Sequence, residues 1–396
     1  MIAAALFAIA LLWAMWVIAG YPLWLRARAE RHPKSFTKDS KLRTVSVIIA
    51  VRNGERYLES KLLSLMGQDY PCQLIEILVI SDGSTDGGEQ IVHKFAARGV
   101  RLVIQPPCGK AAALNRGIPL VTGEILILTD VRQVLDRDCI RELVACFGDP
   151  SVGVVSGDLR IRSTSDSEAE SVGLYWRFES AVRRWLSKMD SMLGATGPIY
   201  AIRRELAEPL PSGIILDDMY LPMKAFFRGY RLIQEERAVA WDYPTALETE
   251  FRRKVRTLAG QYQLVRLMPE LLSSRNRLRS DYVSYKLGRL LLPFSLIVMA
   301  ICVWFLPDPW RTTLAIAQGA FYSLALLDLL WAQGAPGKRI TSAARAFVVM
   351  MIAALCALSI VFVEPGKLWR VTQTSLATPA AGQQNFEPPV ETNRTT

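Results

Sequence analysis

Apolar residues run without a charge from 2 to 20 (IAAALFAIALLWAMWVIAG), and again over 290–306, 313–332 and 346–363, with Asp328 inside the 313–332 run. A helix rises about 1.5 Å per residue against a bilayer core about 30 Å thick, so the pattern predicts one membrane-spanning helix before a polar body and three after it. The first run has no basic residues ahead of it and is followed by Trp24 and an arginine-rich stretch, not a small-residue cleavage site. It therefore reads as an anchor and not as a signal peptide. An acid at membrane depth is unfavourable, so Asp328 is expected to face protein or water near the cytosolic end of its helix.

Between the first and second runs the pattern changes. Short β-branched stretches at 44–51, 76–81, 100–105, 124–130 and 152–158 alternate with helical periodicity at 55–67, 87–97, 110–121 and 136–147. Strands alternating with helices predict an α/β domain with a mainly parallel sheet covered on both faces. Ligands of such sheets bind beyond the carboxyl ends of the strands. Those ends are polar and acidic here: Arg52-Asn53-Gly54-Glu55, then Ser81 to Asp86, then Asp130-Val131-Arg132-Gln133.

Composition narrows the chemistry. The chain of 396 residues is 51% hydrophobic and 21% charged, which excludes a disordered protein and agrees with a globular body plus lipid-embedded segments. Two histidines and six scattered cysteines without a C-x-x-C leave no basis for a histidine-rich metal site, a zinc ribbon or a disulfide scaffold. The net charge of +10 is concentrated at 26–43 and 252–289, both beside apolar runs. By the positive-inside rule these flanks are cytoplasmic, which puts the N-terminus and the tail from about 364 outside. No helix-turn-helix or aromatic-rich pattern accompanies them, so nucleic acid is not the expected partner. No G-x-G-x-x-G follows the first strand, and Gly109-Lys110-Ala111 lacks the rest of a P-loop.

The stretches SVIIAVRNGE, VISDGSTDG, GKAAALNRG, ILTDVRQ, TGPIYAIRRE, ILDDMYLPMKAFFRGYR and FRRKVRTLAG occur in that order. Together they resemble the membrane-embedded family 2 glycosyltransferases, the group of hyaluronan, chitin and cellulose synthases and of relatives that glycosylate lipids. The resemblance covers about 44–290 and the flanking helices. It implies a GT-A type domain at 44–250, basic interfacial helices at 251–289, three membrane helices at 290–363 and a polar tail at 364–396, after an anchor at 1–25 and a basic linker at 26–43. It also implies an integral protein of a plasma or bacterial inner membrane whose catalytic domain is cytoplasmic. Such a domain moves a hexosyl or N-acetylhexosaminyl group from a sugar nucleotide, usually uridine-linked, with inversion at the anomeric carbon.

By the same resemblance, Asn53, Glu55 and Asp82 belong to the nucleotide-sugar site, with Asp82 on the nucleoside; in the 82–86 loop, Ser84 or Thr85 is expected to cap the next helix. Lys110, placed at a helix start where the dipole disfavours a cation, would meet the donor diphosphate. Asp130 takes the first position of the family's D-x-D and would hold Mg²⁺ or Mn²⁺. Arg132 stands where the second acid is expected, so either metal dependence is weakened or Arg132 neutralises the phosphates itself. Adjacent acids at a helix start can act as caps, but Asp217 and Asp218 match the family's Glu-Asp pair, which makes Asp218 the base and Asp217 its orienting neighbour. Arg253 and Arg256 match Q/R-x-x-R-W, with Thr257 in place of tryptophan, and could reach the diphosphate or product. Thr196 and Gly197 would line the acceptor side.

Tyr175, Trp176 and Trp185 read as aromatic packing, His32 and His93 as ordinary surface positions, and the Asn393 sequon as chance. The expected acceptor is a growing polysaccharide, with an oligomer or export partner completing the channel. Transfer of one sugar to a lipid is the alternative, and a non-catalytic nucleotide-sugar sensor is a third.

Overall fold

The computed structural model describes residues 1–161, 168–242, 247–330 and 337–361, with the side chains of 168–177, 247–250 and 361 excepted. The predicted tail at 364–396 and the side chains of Tyr175 and Trp176 lie outside the described residues.

The β-branched runs become strands β1 (Val45–Val51), β2 (Ile75–Asp82), β3 (Val100–Gln105), β4 (Ile125–Thr129), β5 (Val134–Leu135), β6 (Val152–Ile161), β7 (Ile199–Arg203) and β8 (Arg231–Asp242). They form one sheet in the order β3-β2-β1-β4-β7-β6-β8-β5. The β3-β2-β1-β4 half is parallel, with Val45 level with both Ile75 and Ile125. β7 enters antiparallel between β4 and β6, β6 pairs parallel with β8, and β5 closes the far edge antiparallel. The sheet is therefore mixed, with a parallel majority.

Alternate residues serve opposite faces, so both sets must be apolar when helices cover both sides. Ile48, Leu78 and Leu126 pack into one core, and Val47, Ile49, Val79 and Ile127 into the other. The helix Lys110–Gly117 lies tightly on β2, because a Cβ on Gly117 would stand 2.3 Å from Ile80 Cδ1.

Among the described residues, three helices are long and apolar enough to cross a membrane: Ile2–Arg31, Arg279–Phe305 and Lys338–Ile360. The expected span at 313–332 runs past the described residues at 331 and 332. Residues 313–327 of that run lie in the helix Trp310–Leu327, which begins before the run and takes in Arg311 and Thr312. Two expected boundaries also shift, since the first helix continues to Arg31 and position 290 falls inside Arg279–Phe305.

The first two candidate spans pack together through Phe7 and Ala10 against Met299, Cys302 and Val303. Trp16 Nε1 donates to Ser284 Oγ at 3.0 Å, and Tyr21 Oη to Asp281 Oδ1 at 3.1 Å. Asp328 faces protein, at 1% exposure. Its carboxylate meets Lys338 Nζ at 3.1 Å and Arg345 Nε at 2.9 Å, and accepts from Thr341 Oγ1 at 2.7 Å and Ser342 Oγ at 2.9 Å.

Candidate active site

The first two strand ends are knitted to each other. Asn53, at φ 52°, accepts the Thr85 N–H on Oδ1 at 2.8 Å and donates its own N–H to Ser84 Oγ at 3.1 Å. Glu55 Oε2 accepts the Gly87 N–H at 2.9 Å, while the Glu55 N–H reaches Asp86 Oδ2 at 2.8 Å. Asn53 and Glu55 thus sit at the exposed rim as loop ties. Ser84 and Thr85 do not cap the next helix, contrary to expectation: the helix starts only at Gly88, and Asp86 Oδ1 accepts that N–H at 3.2 Å.

Asp82, buried at the end of β2, accepts from Gln105 Nε2, the Cys108 N–H and the Gly109 N–H, each at 2.8 Å. These bonds fasten the 105–109 turn, where Gly109 takes φ +93°, a left-handed conformation that glycine adopts without strain. The turn delivers Lys110 as the first helical residue.

Lys110 joins the separate predicted elements. Its Nζ lies 3.0 Å from Asp130 Oδ1, just past β4, and 3.1 Å from Asp217 Oδ2, at the start of the helix Asp217–Phe227. Burial alone would lower the ammonium's pKa, but Asp130, Asp217 and Asp218 outweigh it and hold the group above the ordinary lysine value. Asp218 goes the other way for a carboxyl: burial, then repulsion from Asp217, push it up to about 6, against the attraction of Lys110. The Asp218 carbonyl accepts the Ala195 N–H at 2.8 Å, and the Thr196 N–H donates to Ser156 Oγ at 2.9 Å, so the Thr196-Gly197 loop is laid against the acid. Arg256 joins from the helix Leu247–Leu267, where burial lowers its pKa against the pull of Asp130 and, more weakly, of Asp218 and Asp217. Arg253 lies one turn earlier and interacts with Arg256.

Arg132 meets a carboxylate of this chain. Its Nε donates to Asp242 Oδ1 at 2.6 Å, and Gln133 Nε2 donates to Asp242 Oδ2 at 2.9 Å. Asp242 is 3% exposed at the end of β8, and Arg132 serves as its counter-ion from just ahead of the neighbouring strand β5. That leaves Asp130 as the D-x-D position able to reach a metal. Among the described residues no group of three His, Cys, Asp or Glu side chains converges as a metal cage. Asp130 nevertheless keeps 39% of its side chain exposed beside Asp217, which suits a hard divalent ion bound by one or two carboxylates and mainly by substrate phosphates.

Sequence reasoning missed Lys61. It is fully buried, and its Nζ donates to Thr129 Oγ1 at 2.6 Å and to the Gln133 carbonyl at 2.7 Å, bracketing the Asp130 loop from beneath. Burial pushes its pKa down to about 7. The signal was present, because Lys61 occupies the apolar stripe Leu58, Leu62, Leu65 of its helix. Asp242 was also missed, since its partner Arg132 is distant in sequence.

Residues 46–210 match the model of "Glycosyl transferase family 2". The chain carries a family 2 glycosyltransferase domain. Over 289 residues it is 24% identical to the probable glycosyltransferase YdaM of Bacillus subtilis, covering 66% of this chain and 68% of that one. Over 232 residues it is 23% identical to the poly-β-1,6-N-acetyl-D-glucosamine synthase of Staphylococcus aureus, covering 57% of this chain and 56% of that one, so it spans little more than half of this relative. Among solved structures, the mannosyltransferase PcManGT of Pyrobaculum calidifontis, in complex with GDP-Man and Mn²⁺, superposes with a TM-score of 0.68 at 25% identity, covering 88% of this chain and 99% of that one. The family 2 domain thus has the GT-A type sheet, and Lys110, Asp130, Asp217, Asp218 and Arg256 converge at its strand ends.

Proposed function

We propose that this enzyme transfers a sugar, with inversion, from a nucleoside-diphosphate donor to an acceptor hydroxyl presented at a membrane surface, with its catalytic domain on the cytoplasmic side. The observation carrying this reading is Lys110 bridging Asp130 and Asp217 beside Asp218, the acid whose pKa is pushed up to about 6.

Asp218 takes the acceptor's proton as that oxygen attacks the anomeric carbon, and the bond to the diphosphate breaks on the opposite face. One displacement inverts the centre. A glycosidase needs a second carboxyl to protonate its leaving group, whereas a nucleoside diphosphate departs as an anion and needs positive charge. Lys110 and Arg256 supply it from this chain. Asp130 would hold Mg²⁺ or Mn²⁺, which supplies further positive charge to the diphosphate when bound; the Mn²⁺ in PcManGT supports this. Asp82 sets the Lys110 turn and flanks the position expected for the nucleoside.

Three candidate spans and the basic flanks support a membrane location with the sheet on the positively flanked side. The similarity to a polysaccharide synthase supports a growing polysaccharide as acceptor. Three candidate spans among the described residues make a thin wall for a polymer channel, and this favours the second reading, transfer of one sugar to a lipid. Purified full-length protein is offered radiolabelled UDP- and GDP-sugars with and without chelator. A polymerase gives a ladder and a lipid transferase a single organic-extractable product. No turnover with any donor would overturn the transferase reading in favour of sensing.

A further inference from the structure

Lys61 is a lysine in a position made for leucine. On the helix Glu55–Met66 it shares the buried stripe of Leu58, Leu62 and Leu65, with none of its surface exposed. Desolvating an ammonium there is unfavourable, and hydrogen bonds to neutral oxygens offset only part of the cost. A leucine would fill the same stripe without that penalty. The group therefore serves what it ties together more than the helix that carries it.

It ties both ends of the Asp130 turn. Nζ donates to Thr129 Oγ1 at 2.6 Å, just before Asp130, and to the Gln133 carbonyl at 2.7 Å, beyond it. Thr129 carries the contact onward, because its hydroxyl donates to the Pro198 carbonyl at 2.6 Å. The direction is fixed by chemistry: a carbonyl can only accept, so the hydroxyl proton goes to Pro198 and the hydroxyl oxygen accepts from Lys61. This bond falls where the β4–β7 ladder stops, with Thr129 level with Ile199. Pro198 has no N–H with which to continue the ladder, and the Thr129 side chain takes up its carbonyl instead. Next to Pro198 is Gly197, whose Cβ would stand 2.9 Å from Asp218 Oδ2, and the Ala195 N–H is bonded to the Asp218 carbonyl at 2.8 Å. One chain of bonds thus runs from the turn that bears Asp130 to the loop that lies against Asp218.

We propose that Lys61 is a positioning residue for the transfer, acting through Thr129 to hold the donor-side turn and the base-side loop in one register, so that nucleotide bound at Asp130 steadies residues 195–198 against Asp218. This rests on Asp130 and Asp218 having the roles given above. A diphosphate that binds one arrangement of the turn better favours that arrangement. The turn so held keeps Thr129 in place, the Pro198 carbonyl keeps its donor, and the loop opens less often.

The test follows deuterium exchange by mass spectrometry in peptides covering 195–199 of the full chain in detergent. Exchange is measured with and without saturating Mn²⁺ and UDP or GDP, whose binding is followed by calorimetry. The Ala195, Thr196 and Ile199 amides are hydrogen-bonded and so report opening of the loop. Nucleotide should slow their exchange about tenfold in the parent and in Thr129→Ser, which keeps the hydroxyl. The slowing should shrink to less than about twofold in Thr129→Val, which keeps the branched shape alone, and in Lys61→Met, which breaks the chain from its other end. Exchange that ignores nucleotide in the parent overturns the proposal. A parent-like response in Thr129→Val or in Lys61→Met does so too, because the loop would then sense nucleotide without the chain. Loss of the response in Thr129→Ser would trace it to a methyl group and overturn the hydrogen-bond route. The two chain-breaking variants are independent, so either one decides where the other fails to fold. Nucleotide that binds without slowing exchange overturns this proposal alone, whereas absence of nucleotide binding overturns the transferase reading beneath it.

Discussion

A Cβ on Gly197 would stand 2.9 Å from Asp218 Oδ2, so only a bare backbone lets the 195–198 loop lie against that carboxylate. The side chain must yield if anything larger is placed there. Gly197→Ala should therefore fold, because no left-handed backbone is required at this position, yet displace the acid from its attack geometry. A turnover about 10–100-fold lower with unchanged donor affinity is expected from steady-state kinetics. Full turnover would show that the contact carries no catalytic consequence.

With Asp218 pushed up to about 6, the fraction of enzyme carrying an ionised base rises through that pH. Turnover should climb from about pH 5 and level off above about pH 7, and Asp218→Asn should lower it about 10²–10⁴-fold while nucleotide still binds. A parent profile that is flat over this range would count against Asp218 as the proton acceptor.

Lys61 has its pKa lowered to about 7 in the folded chain, below the value of an unfolded lysine near 10.4. Between those two values the unfolded chain binds a proton that the native state does not, so stability rises with pH across the window and is flat below it. The slope cannot exceed about 1.4 kcal/mol per pH unit for one group. Denaturant titrations from about pH 7 to 10 should show this contribution in the parent and lose it in Lys61→Met. The variant also leaves Thr129 Oγ1 and the Gln133 carbonyl without their donor, so donor affinity should fall with the loosened Asp130 loop.

The Arg132–Asp242 pair predicts a stability effect larger than its effect on donor binding. Arg132→Ala leaves a nearly inaccessible carboxylate without its counter-ion and should cost about 1–3 kcal/mol in chemical denaturation. Adding Asp242→Asn to the same chain should recover part of that loss. A donor affinity that collapses in Arg132→Ala while stability holds would instead return Arg132 to the phosphate.

Local alternation made the β1 to β4 strands, β6 and the helices between them legible in the sequence, since their residues serve two covered faces. β7 and β8 were harder. β7 hides inside a stretch read for its Thr196-Gly197 motif, and the centre of β8 carries Glu235, Glu236 and Arg237. Among the candidate site residues, Asp130, Asp217 and Asp218 were expected together from the resemblance, as the D-x-D and Glu-Asp positions; their places after a strand end and at a helix start alone left helix capping open. What Arg132 does could not be read locally, because its partner Asp242 lies 110 residues away in sequence, at the end of the neighbouring strand β8. Lys61 was visible as a charge on an apolar stripe, but its targets Thr129 and Gln133 were not.

Lys110 rests between Asp130 and Asp217 with its one charge already shared. An arriving nucleoside diphosphate draws the same ammonium toward itself, and the two acids are left less well compensated until their neighbours relax around the new occupant. The carboxylate next door then grips its proton more firmly and gives the acceptor a stronger base than the vacant enzyme offers. On the proposed reaction, an acceptor that arrives before the nucleotide therefore meets the weaker base.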